Sequence, residues 1–167
     1  MKKRIFSILL TFIFVFALTP AVFAASDIEL DDKNTTEIIY LDNGSYITIT
    51  LVTQDIYPLS LSSTNSTPFT KTGNKVVACN DKNGNLEWEY TLFAEFSVVE
   101  GVSATCTSAT YTQTIYAKDW SFSNGNATKS GNTAYGIGTF KQKFLFVTIE
   151  TANIDISISC DVYGNLS

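Results

Sequence analysis

The sequence predicts an all-β protein, an antiparallel β-sandwich of about eight strands, Ig-like or jelly-roll-like, behind an N-terminal signal helix. Three observations predict it. Apolar residues alternate strictly from Leu86 to Val98; turn dipeptides such as Asn43-Gly44 and Asn83-Gly84 punctuate the chain; no stripe of helical period follows residue 24.

Residues 1–24 read as a secretory signal peptide. Lys2, Lys3 and Arg4 carry the positive charge, residues 5–18 form an apolar run interrupted only by Ser7 and Thr11, and Pro20 breaks the helix. Val22 and Ala24 then place small residues at −3 and −1 of a cut before Ala25. The expected location is therefore extracellular, by Gram-positive-type export. No later stretch approaches 18 apolar residues, so no membrane partner is expected once the leader is cleaved. The leader takes three positive charges with it. Eight Lys and Arg then face 16 Asp and Glu, a net charge of −8. Such a surface repels phosphate backbones, and nucleic acid is not an expected partner. The remaining 143 residues suffice for one domain.

The elements follow in order. Residues 25–36 are acidic and polar and read as a disordered tail; residues 37–53 read as a β-hairpin turning at Asp42-Asn43-Gly44. Residues 54–74, rich in Ser, Thr, Asn and Pro, read as a linker or long loop. Residues 75–167 read as the sandwich. Its clearest strand sets Leu86, Trp88, Tyr90, Leu92, Ala94, Phe96 and Val98 on one face and Glu87, Glu89, Thr91, Phe93, Glu95 and Ser97 on the other. Residues 102–116 are β-rich, with a bulge expected near Ser108. Asn124-Gly125 and Gly131-Asn132 mark further turns, residues 133–140 continue as strand, and Ile154, Ile156, Ile158 and Cys160 line the last one.

Three cysteines, at 79, 106 and 160, allow three single pairings in an oxidising compartment. The inward registers of the flanking residues favour Cys106–Cys160. Closing a loop of about 55 residues would stabilise by roughly 4 kcal/mol. Cys79 is then left as a small buried hydrophobe or a reactive thiol.

The chain has no histidine, which removes Ser-His and Cys-His nucleophiles and H-E-x-x-H zinc sites. No catalytic residue, metal site or cofactor is assigned. Gly136-Ile137-Gly138 lacks the third glycine and the helix of a dinucleotide loop. The run from Asp81 to Glu87 has the flavour of a calcium loop but is too short, and reads as a turn. Glu87 and Glu89, two residues apart on one strand face, would lie about 6.7 Å apart, a spacing compatible with a carboxylate-dependent glycosidase. Aromatics are the richer signal. Trp88, Tyr90 and Phe96 belong to the core by register, whereas Tyr111, Tyr116, Trp120, Phe122, Phe144 and Phe146 exceed what it needs. These six are the candidate binding residues. The segment 141–147, apolar beside lysines, is the most conspicuous among them.

From Lys71 onward a set of motifs recurs together. They are Asn83 with Trp88, Phe96, the run Gly101 to Thr107 that contains Cys106, Ile115-Tyr116 with Trp120, residues 127–134, and Ser159-Cys160-Asp161 with the closing Gly164-Asn165-Leu166-Ser167. In these the chain resembles a family of small secreted proteins of Gram-positive anaerobes to which no activity is assigned. The resemblance implies a sandwich and a Cys106–Cys160 bridge, and it brings no active site. Cys79 departs from the family pattern. The function expected is a secreted, non-catalytic module that binds an extracellular ligand: envelope polymer, glycan or protein. The alternative is a bacteriocin-like toxin or an inhibitor of a secreted enzyme.

Overall fold

A computed structural model describes residues 34–54 and 67–167. Residues 1–33 and 55–66, which hold the expected signal peptide, most of the expected tail and part of the expected linker, lie outside the described residues. Among the described residues there are eight strands and no helix: β1 (Thr35–Tyr40), β2 (Tyr46–Gln54), β3 (Phe69–Asn80), β4 (Leu86–Val99), β5 (Ser103–Ile115), β6 (Trp120–Ser130), β7 (Thr133–Phe144) and β8 (Val147–Ser159). They form a five-stranded sheet, β1 to β5, facing a three-stranded sheet, β6 to β8. This is the antiparallel sandwich that the alternation predicts. Strand order is consecutive in both sheets, so within each sheet neighbours in sequence pair directly, without the Greek-key crossings of immunoglobulin and jelly-roll sandwiches, and β5–β6 is the one passage between sheets.

Local chemistry explains the elements. β2 is built from Ile47, Thr48, Ile49, Thr50, Val52 and Thr53, whose branched side chains suit a pleated surface. Gly44 and Gly84 hold φ of +86° and +85° in their turns, a conformation that costs glycine nothing. The hairpin β1–β2 is not a separate unit, because β2 pairs with β3 along its whole length, Tyr46↔Asn80 to Gln54↔Thr72. β3 begins at Phe69, inside the stretch whose composition reads as linker. Its polar side chains are compatible with strand because one face is solvated.

The core forms as the sequence expects. Trp88, Tyr90, Phe96 and Leu92 of β4 are fully buried, with Phe140, Ile158 and Cys160. The Trp88 ring stacks on Phe140 at 4.0 Å and meets Trp120 edge-on at 5.8 Å. Glycines make this aromatic packing possible. A Cβ on Gly138 would lie 2.6 Å from the Phe122 ring, and one on Gly136 would lie 2.8 Å from the Tyr90 hydroxyl. The Gly136-Ile137-Gly138 pair, unconvincing as a nucleotide loop, therefore serves as a socket for Tyr90 and Phe122.

Two further expectations change. Asn124-Gly125 is not a turn between strands but a bulge inside β6, where the register slips between Ser123 and Asn126 and Asn124 takes φ 56°. The cysteines are buried free thiols, so the expected Cys106–Cys160 bridge is not formed. Each sulfur has another partner. Cys106 Sγ donates to the Ser108 carbonyl at 3.3 Å and Cys160 Sγ to the Asp161 carbonyl at 3.5 Å. The backbones of these two cysteines grip the β6–β7 turn, Cys106 N–H on Gly131 O at 2.8 Å and Cys160 N–H on Asn132 O at 3.0 Å. The bulge expected near Ser108 is present, with Glu95 opposite Ser108 and Phe96 opposite Cys106.

Candidate functional site

Antiparallel order places the connections β1–β2, β3–β4, β5–β6 and β7–β8 at one end of the sandwich. Contacts between them agree with the grouping. Asn43 Nδ2 donates to Glu150 Oε2 at 3.2 Å, Lys143 N–H to the Asp119 carbonyl at 2.8 Å, and Gln142 Nε2 to Asp119 Oδ2 at 2.6 Å. Tyr116 and Ala117 both donate their backbone N–H to the Glu87 carbonyl.

The β7–β8 connection is the exceptional one. Phe144 pairs with Val147, which leaves Leu145 and Phe146 as a two-residue loop. Both hold positive φ, 45° and 72°, the conformation of a type I′ hairpin turn. Such turns ordinarily use Asn-Gly, because a Cβ in left-handed backbone clashes with the carbonyl that follows it. Here two bulky residues occupy the strained positions, and no described residue covers them. Phe144, Leu145, Phe146 and Val147 are 64%, 76%, 100% and 63% exposed. Backbone strain combined with apolar exposure is unfavourable twice over, and strain of this kind concentrates at functional sites.

The six candidate aromatics divide evenly. Phe144, Phe146 and Tyr116 are exposed, and all three lie at or beside this end of the molecule. Trp120 is buried against Trp88. Tyr111 stacks on Tyr90 at 5.4 Å, and Phe122 packs between Tyr90 and Phe140. These three belong to the core. Their sequence neighbourhood gives no warning, because β5 and β6 carry few other apolar residues.

A second feature, this one concave, lies on the outward face of the five-stranded sheet. Register aligns Gln54, Thr72, Glu95 and Ser108 in one row across β2 to β5, with Asn74, Phe93 and Thr110 in the next. Together they line a groove of about 500 Å³. Phe93 is an exposed ring at its centre, and sequence reasoning did not single it out.

The carboxylate pair is not a pair. β4 bulges at Glu87, since Leu86 faces Asn80 and Trp88 faces Cys79. The Glu87 carboxylate turns to Cys79, whose thiol donates to Oε2 at 3.7 Å. Burial raises the Glu87 pKa from its ordinary value. Burial first, then Glu87, pushes the Cys79 thiol up to about 12, and burial takes Cys160 to about 11. Such thiols are not nucleophiles near neutral pH. The Asp81 run is the turn its sequence suggests. Asp81 Oδ1 accepts the N–H groups of Asn83 and Asn85, both at 2.8 Å, and Asp161 accepts those of Tyr163 and Asn165 at 2.8 and 2.9 Å. Among the described residues no group of His, Cys, Asp or Glu could hold a metal ion.

Comparison with protein-family models, with curated proteins and with solved structures finds no match. The family resemblance rests on the sequence motifs alone.

Proposed function

We propose that this chain is a secreted, non-catalytic binding module that engages its extracellular ligand through the β7–β8 hairpin tip. One observation carries the reading: residues 144–147 are all exposed and apolar, on a turn whose two central residues hold positive φ. A chain under no functional demand would place polar Asn-Gly there and gain stability. The signal-like residues 1–24 and the family resemblance support an extracellular setting.

The test is co-sedimentation of the exported chain, residues 25–167, with isolated Gram-positive cell envelopes. The wild type is expected in the pellet, and the double substitution Leu145→Asn/Phe146→Gly in the supernatant. Equal retention of both proteins, or of neither, overturns the reading. Growth inhibition of neighbouring species at concentrations that saturate the envelope would favour the toxin alternative.

A second reading rests on the groove around Phe93. An exposed ring flanked by the amides of Asn74 and Gln54, the hydroxyls of Thr72, Ser108 and Thr110 and the Glu95 carboxylate suits an oligosaccharide without acidic groups, by ring stacking and hydrogen bonding. Retention on insoluble glycans that Phe93→Ala abolishes, with the tip intact, would favour it.

A further inference from the structure

We infer that the partner of the tip is the surface of a phospholipid bilayer bearing anionic headgroups. This rests on the tip reading above and names the partner for that same site. It departs from the expectation that the chain meets no membrane after its leader is removed.

Shape is the first argument. Phe146 is completely exposed and its three apolar neighbours mostly so, so the tip is a convex wedge that no described residue walls in. Its side chains leave the hairpin in several directions, because Phe144 and Val147 pair across the strands while Leu145 and Phe146 cap them. A protein pocket reads one face of a strand. A fluid hydrocarbon accepts all faces at once.

Charge is the second argument. From Lys141 to Ile149 the sequence holds two lysines and no carboxylate, in a chain whose net charge is −5 with residues 1–24 and −8 without them. Lys143 is exposed immediately behind Phe144, and Lys141 is half-buried two residues further back. Two carboxylates stand behind them, with Glu150 across the strands from Gln142. Asp119 accepts from Gln142, and Glu150 from Asn43. Of these groups Lys143 is the exposed cation directly behind the apolar crown, where a lipid headgroup would lie if the tip were submerged.

Depth is the third. From Lys143 to the crown is only one to two residues of strand rise, roughly 5 Å, which matches the ~5–10 Å that interfacial elements reach into the headgroup and acyl boundary. The tip is too short to span and long enough to wedge.

The experiment uses the exported chain and vesicles of phosphatidylcholine with and without phosphatidylglycerol. Phe146→Trp places a reporter at the crown. Trp88 and Trp120 are buried and give a constant background. Anionic vesicles are expected to blue-shift the new emission and to expose it to quenching by doxyl-labelled lipid. In a sedimentation assay on otherwise wild-type protein, Leu145→Asn/Phe146→Gly is expected to lower partitioning at least tenfold. Lys141→Gln/Lys143→Gln is expected to cost about fivefold per lysine on anionic vesicles only, a loss that high salt reproduces in the wild type. Both variants change exposed or half-exposed side chains, and circular dichroism verifies that they fold. The inference is overturned if emission from the Phe146→Trp variant is indifferent to vesicles. Vesicle binding that the Asn-Gly substitution leaves intact overturns it equally. Tip-dependent envelope retention that protease treatment of the envelopes destroys, with no vesicle binding, also overturns it, naming a protein partner while leaving the proposed function standing.

Discussion

Replacing Leu145-Phe146 by Asn-Gly is expected to make the protein more stable. Left-handed backbone costs an L-residue with a Cβ roughly 1–2 kcal/mol, and both residues hold it, at φ 45° and 72°. Asn tolerates the conformation and Gly adopts it freely. Little packing is lost in exchange, since the two side chains are the most exposed of the tip. Part of the relief is returned as the conformational entropy that Gly adds to the unfolded chain. A net gain of about 1–2 kcal/mol remains. For a domain of this size that corresponds to a Tm increase on the order of 3–10 °C. Urea unfolding followed by circular dichroism, with calorimetry as the second probe, measures both quantities. An unchanged or lowered midpoint, with the same m-value, would refute the argument that the turn is strained. Set beside the loss of envelope retention proposed above, the result would be a stability–function trade-off located in two residues.

Other expectations are simpler. Gly138→Ala drives a methyl into the Phe122 ring and should destabilise by about 1–3 kcal/mol; combining it with Phe122→Leu should recover part of that loss, and strict additivity in the double-mutant cycle would show that the two sites do not touch. Asp81 and Asp161 have folded-state pKa values below the ordinary carboxylate value, because hydrogen bonds from Asn85 and Asn165 favour their charged forms. Their contribution is therefore complete above the unfolded pKa and is lost as pH falls through the depressed folded values. Stability measured from pH 6 down to pH 2 should decline less steeply in Asp81→Asn/Asp161→Asn than in the wild type. Thiol titration with a chromogenic disulfide at pH 8 should find no reactive cysteine in the folded protein and three in denaturant, given the burial of all three. A rapid stoichiometric reaction in the native state would contradict that placement.

Much of the fold is legible because one physical rule dominates β-proteins: a half-buried strand alternates. The even positions from 88 to 98 obey it, and the structure buries Trp88, Tyr90, Leu92, Ala94, Phe96 and Val98 accordingly. What escapes the rule has local causes. Residues 69–74 look like linker because strand in a sheet with a solvated face tolerates Thr, Asn and Gly, so composition cannot separate the two. Asn124-Gly125 has the sequence of a hairpin turn but forms a bulge, which makes room beside Gly138 for the Phe122 ring. Glu87 loses its outward register to a bulge that no periodicity reveals. The tip is the instructive case. Lys141 to Val147 stands out as apolar residues beside charge, yet a tight turn at Leu145-Phe146 has no signal in sequence, because turn chemistry predicts Gly or Asn there.

The closing segment has a consequence for how the sandwich comes together. Leu166 lies against Gly73 of β3 so closely that a Cβ there would collide with it, Cys160 bridges back to Leu166, and Ser167 exchanges backbone hydrogen bonds with Ser159. This stretch acts as a zip fastener between β3, the central strand of the larger sheet, and β8, an edge strand of the smaller one. Hairpins formed earlier from neighbouring residues can assemble as the chain emerges, but the seam stays unsealed until residues 160–167 have arrived. A chain cut after Ser159 would lose the Leu166 side chain against Gly73 and both Ser159–Ser167 hydrogen bonds, and with them this tie between the sheets.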